Sequence, residues 1–164
     1  MDSHIVADWL VHMPLSRIGF TGGCEVEREA ARKLNEQVWE YIVGCVQVGW
    51  VPSWEIYHPP TYLTVHFDGY RLLRNSEASW PRNKGHEFPV VELGVHRRTP
   101  SSPAVRWALA HELCHCYVYP TPKNVWKAVN VVHSSRPWEQ FADAVASAVV
   151  LGYNREKFER KGRE

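Results

Sequence analysis

Apolar residues fall at steps of four through the segment CEVEREAARKLNEQVWEYIVG, at Val26, Ala30, Leu34, Val38 and Ile42. Charged residues occupy the other faces, so the spacing predicts an amphipathic helix over residues 25–43, preceded by the turn signal TGG at 21–23 and ended near Gly44. The pattern then changes. SWEIYH (53–58) and YLTVHF (62–67) are short, β-branched and aromatic, and are bounded by HPP and DG. In the second, Leu63, Val65 and Phe67 alternate with Tyr62, Thr64 and His66, which predicts two strands as antiparallel neighbours. RNSEASWPRNKGHE (74–87) reads as a loop, and FPVVELGVH supplies a third strand over 89–96.

Two further helices follow. In TPSSPAVRWALAHELCHCYVYP, Ser101 or Ser102 offers an N-cap, Pro103 suits the first turn, and Pro120 forbids continuation past Tyr119. In SSRPWEQFADAVASAVVLG, Ser135 offers an N-cap and Pro137 an early helical position. Phe141, Val145, Ala148 and Val149 fall at helical spacing, and the helix ends near Gly152. The charged segment 153–164 reads as a polar tail.

Length and charge narrow the picture. At 164 residues and 45% hydrophobic composition the chain suits one domain spanning 1–164. A net charge of +1 with interspersed signs excludes a dedicated nucleic-acid binder, and the basic clusters at Arg71 to Lys84 and at Arg97/Arg98 read as solvated loop charge. No window approaches the roughly 18 apolar residues of a membrane span, so a soluble, cytoplasmic protein without a membrane partner is expected; oligomeric state is not legible. Cys24, Cys45, Cys114 and Cys116 form no CxxC pair, so reduced thiols are expected, with Cys114 and Cys116 as small buried hydrophobes.

The chemistry lies in HELCH, residues 111–115. Among nine histidines, H-E-x-x-H arises in a shuffled chain of this composition about one time in twenty-five, so its surroundings decide its meaning. Inside a helix at ~100° per residue, His111 and His115 differ by only ~40° and project from one face. Their segment is otherwise apolar, and polar groups there are costly to bury without a partner. A catalytic zinc takes three protein ligands and leaves one position for water. The downstream candidates for the third are His133 and Glu139. Glu139 also reads as a first-turn carboxylate favoured by the helix dipole. Asp143, one turn beyond Glu139, is placed either at the surface or where it accepts the spare ring N–H of a ligating histidine.

RWALAHELCH, preceded by a strand, and ExxADxxA some 24 residues later resemble the ImmA/IrrE-like zinc metallopeptidases, a branch of the HExxH-plus-glutamate proteins, the gluzincins. The likeness covers about residues 88–151. It implies His111, His115 and Glu139 as zinc ligands and Glu112 as general base, with Arg106, Ala110, Ala142, Asp143 and Ala146 matching the flanking pattern. Val145 stands where the family often has Phe, and VVLG where it has LLMP, which marks a distant member. The implied fold is an α+β zincin-like domain with an N-terminal helix, a small twisted mixed sheet, the HExxH helix and a glutamate-bearing helix. The implied activity is hydrolysis of peptide bonds in a cytosolic protein, with a transcriptional repressor on another chain as one candidate substrate. The strand at Val90 to Val95 is expected to form the cleft edge that pairs with the peptide.

Two alternatives stand beside this reading. HELCH with His133 as third ligand resembles SprT-like proteases, and a catalytically silent zincin-like binding module keeps the scaffold without the reaction. His133, Tyr117 and Tyr119 are candidate donors to an oxyanion, with His133 ranked first, although each also reads as structural. Trp107, Trp126 and Trp138 line a cleft or, more commonly for tryptophan, pack in the core and rim. His58, His66, His86 and His96 have no ligand spacing.

Overall fold

Gly22 and Gly23, both at positive φ (71° and 76°), turn the chain from a first strand, β1 (Arg17–Thr21), into helix α1 (Glu25–Gln47). At Gly23 a Cβ would come within 2.5 Å of the Phe67 ring, so both the backbone angle and the close approach require glycine. Glu27 reaches back to accept the Cys24 N–H at 3.1 Å, which satisfies one of the free amides at the start of α1. The computed structural model describes residues 15–47, 61–69, 76–79, 90–94, 103–118 and 122–152.

The predicted helix is present but longer, and its buried stripe is rotated. Ala31, Leu34, Val38, Ile42 and Cys45 are buried, while Val26 is 68% exposed and Ala30 lies at the margin. The apolar periodicity continues through Cys45, so packing carries the helix past Gly44 despite that residue's poor propensity. Asn35 sits within the stripe, fully buried, and donates to the Ser16 carbonyl at 3.2 Å.

Four strands form one mixed sheet in the order β1-β2-β4-β3, with β2 at Tyr62–Gly69, β3 at Ser76–Ser79 and β4 at Val90–Gly94. β2 pairs in parallel with β1 and β4, and β3 is antiparallel to β4. The expected alternation in β2 holds: Leu63, Val65 and Phe67 are buried with Val91, and Thr64 and His66 are not. Three expectations change. β1 precedes the first helix, β3 occupies part of the presumed loop, and β4 is an interior strand, with β3 outermost on that side among the described residues. The strand expected at 53–58, and hence its antiparallel pairing, lies outside the described residues.

Helix α2 (Pro103–Tyr117) packs against α1, β3, β4 and the last helix, and is buried from Ala108 to Tyr117 except at His111. A helix segment enclosed on every side is apolar all round, as this one is from Ala108 to Tyr117 apart from His111, Glu112 and His115. A short helix α3 (Pro122–Lys127), absent from the sequence reading, leads to a 3-10 turn at His133–Ser135. Helix α4 (Pro137–Leu151) has the expected bounds, with Pro137 in its first turn and Gly152 closing it at φ 68°. Its N-cap is Arg136 without a side-chain cap, because the expected cap, Ser135, belongs to the 3-10 turn. Ser101, Ser102, Tyr119, Pro120 and the tail 153–164 lie outside the described residues.

Candidate metal centre

Helix α2 carries His111 and His115 one turn apart, and α4 brings Glu139 to face both. His111 Nε2 and His115 Nε2 are 3.0 Å apart, and Glu139 Oε2 lies 3.1 Å from the first and 3.3 Å from the second. Ligand atoms bound tetrahedrally at about 2.0–2.2 Å to one ion stand about 3.3–3.5 Å apart. The observed triangle is at most a few tenths of an ångström tighter on each side, and His111, His115 and Glu139 can hold a metal ion. The protein alone satisfies these atoms poorly, since two imidazole nitrogens and one carboxylate oxygen converge with few protons to share.

Each ligand atom is positioned by its own neighbours. The His111 ring stacks on Trp107, one turn earlier on α2, at 5.4 Å and 27°, and meets the His115 ring edge-on at 4.6 Å. Asp143 Oδ1 stands 2.8 Å from His111 Nδ1. The ring nitrogen does not point squarely at that oxygen, so the contact is a close electrostatic approach rather than a linear hydrogen bond. Trp107 in turn donates its indole N–H to Ser147 Oγ on α4 at 3.0 Å.

Electrostatics follow from burial and these contacts. Burial pulls His111 down, but its hydrogen bond to Glu139 and the charges of Glu112, Glu139 and Asp143 outweigh that and raise it above its ordinary value. Burial pushes the Glu139 carboxyl up, yet hydrogen bonds from His111 and His115, with their charge, hold it well below the usual carboxylate range. Glu112 is buried between the two histidines in sequence, and its charge reaches His111.

The remaining candidates separate by position. His133 Nε2 approaches the other Glu139 oxygen, Oε1, at 3.3 Å, but its side chain is 72% exposed and it is not one of the three converging residues. Tyr117 is buried on the core side of α2, donates to Asn35 Oδ1 at 2.5 Å and lies 5.0 Å from the Trp39 ring, so it faces away from the centre. Trp138 is in the core and Trp126 is 77% exposed. Cys45, Cys114 and Cys116 are buried free thiols, with burial pushing Cys114 and Cys116 far up; Cys24 is free and exposed. Arg106 lines a surface groove with Glu25, Val26, Glu29, Ala30 and Lys33. Among the remaining described histidines, His66 lies on β2 away from any metal-holding group.

Sequence reasoning missed Ser147 and the Ser16–Asn35 pair. Ser147 follows Glu139 and Asp143 at the same four-residue step, the one signal that points to it. No helix among the described residues is long and apolar enough to cross a membrane. No family model, no curated protein and no solved structure matches the chain.

Proposed function

We propose that this chain is a zinc-dependent metallopeptidase with a zincin-like fold, hydrolysing peptide bonds of a cytoplasmic protein substrate. The observation that carries the reading is the convergence of His111 Nε2, His115 Nε2 and Glu139 Oε2 on one point from two buried helices. Two imidazoles and a carboxylate form a donor set suited to catalytic zinc. Zinc held there supplies a Lewis acid that lowers the pKa of water toward ~7 and polarises a carbonyl.

The chain's own groups do the rest. Glu112 takes the proton of the attacking water and passes it to the leaving amine. Asp143, at 2.8 Å from His111 Nδ1, keeps that ring's other nitrogen turned to the ligand position. His133, exposed and beside Glu139, is the candidate donor to the developing oxyanion. β3, the outer strand on that side among the described residues and packed beside α2, is the candidate to pair with an extended peptide, a role expected of β4 from the resemblance. A repressor carried on another chain remains one candidate substrate, by resemblance alone.

The test compares wild type with Glu112→Gln for zinc content and for cleavage of a denatured-protein or peptide-library substrate. Retained zinc with abolished cleavage is expected. Equal cleavage by both proteins removes Glu112 from the mechanism, and no cleavage by a zinc-loaded wild type leaves a silent binding module.

A further inference from the structure

α2 and α4 meet along two matched stripes. Trp107, His111 and His115 step by four along α2, and Ser147, Asp143 and Glu139 step by four in the reverse direction along α4. Each residue of one stripe touches its counterpart. Trp107 Nε1 donates to Ser147 Oγ at 3.0 Å, His111 Nδ1 faces Asp143 Oδ1 at 2.8 Å, and His115 Nε2 reaches Glu139 Oε2 at 3.3 Å. Residues four apart share a helix face about one turn apart, so the three contacts are rungs of one antiparallel ladder. Two rungs hold the candidate metal ligands. The third holds none, yet its indole is the surface on which the His111 ring lies, at 5.4 Å and 27°.

From this ladder we infer that Trp107 and Ser147 are positioning residues for the metal centre, an inference that rests on the metal reading above. Without a fixed indole, His111 keeps its contacts at both ring nitrogens but loses the flat wall that sets its ring plane. The Ser147 hydroxyl fixes that indole by accepting its N–H, and it also sets how far α4 slides along α2, which decides whether Glu139 Oε2 meets both histidines. Groups around a ligating histidine that orient it govern metal affinity in this way.

The experiment measures zinc affinity by chelator competition on the full chain for wild type, Ser147→Ala, Ser147→Thr, Trp107→Phe and the Ser147→Ala/Trp107→Phe double variant, with melting of each metal-stripped protein alongside. Losing one hydrogen bond in this setting should weaken zinc binding about three- to tenfold. Trp107→Phe keeps an aromatic ring beside His111 but removes the N–H together with part of the indole, so it should weaken zinc binding at least as much as Ser147→Ala, and the double variant should be no weaker than Trp107→Phe alone. Ser147→Thr keeps the hydroxyl and should restore wild-type affinity. If Ser147→Ala melts earlier but binds zinc as wild type does, the rung is merely structural and the inference falls. If wild type binds zinc and every variant equals it, the inference alone falls. A wild type that binds no zinc overturns the metal reading and the inference together.

Discussion

Tyr117 is two residues from His115 on the same helix, and its hydroxyl serves the core rather than the centre. Tyr117→Phe tests that division. The hydroxyl donates to Asn35 Oδ1 at 2.5 Å, and Asn35 donates onward to the Ser16 carbonyl at 3.2 Å, tying α2, α1 and the start of β1 together. Tyr117 and Asn35 are each 1% exposed, so water does not replace the lost donor. Leaving a buried acceptor short of a partner costs about 1–3 kcal/mol, and for a chain of this length each kcal/mol lowers Tm by about 2–4 °C. Tyr117→Phe should therefore melt about 2–12 °C below wild type. In urea, the Tyr117→Phe, Asn35→Ala and double variants should show a coupling energy of about 0.5–3 kcal/mol, because both single changes break the same bond. Zinc affinity and peptide cleavage, assayed well below the melting range, should stay at wild-type levels. A Tyr117→Phe protein as stable as wild type, or one that keeps its Tm and loses cleavage, would refute the reasoning and return Tyr117 to the candidate oxyanion donors.

Four further outcomes follow from the centre and the core. Zinc binding requires His111 to be neutral, and its pKa is raised above the ordinary 6.5, so apparent zinc affinity should fall about tenfold per pH unit below that raised value, followed by chelator competition. In the metal-stripped protein, Glu139, held below its ordinary 4.5, gives stability present above that value and lost as pH falls through its folded value. His111 gives stability present below 6.5 and lost as pH rises through its own. Urea midpoints should thus be highest between these values and flatten in Glu139→Gln. Asp143→Ala should weaken zinc binding about 10–100-fold while leaving the far-ultraviolet circular dichroism unchanged. Leu113→Ala, which opens a void in the core on the face of α2 that Tyr117 shares, should cost about 2–5 kcal/mol in urea unfolding.

What the sequence made legible was whatever is written in local spacing. α2 and α4 are bounded by prolines and glycine, and the HExxH and ExxAD patterns sit on their facing sides, so the three residues that can hold a metal were readable before any coordinates. The sheet was not. RIGFT and SEAS contain Gly, Arg, Ser and Glu in place of an alternating β-branched run, and they become strands through pairing with β2 and β4. Strand order depends on contacts far apart in the chain, so the resemblance makes β4 a cleft edge while its pairing sets it between β2 and β3. Asn35, a polar residue outside the predicted apolar stripe, is buried because Tyr117 and Ser16, distant in sequence, supply its partners. Ser147 was silent for the same reason: its role depends on which residue of α2 stands opposite.

The central claim is tested most directly by zinc stoichiometry, measured by elemental analysis on protein purified without chelator. Wild type and His133→Ala should each carry one zinc per chain, and Glu139→Ala should carry almost none, since Glu139 supplies one of the three converging atoms and His133 none. Zinc retained in Glu139→Ala and lost in His133→Ala would contradict the assignment in favour of a three-histidine centre, and a zinc-free wild type would contradict the account as a whole.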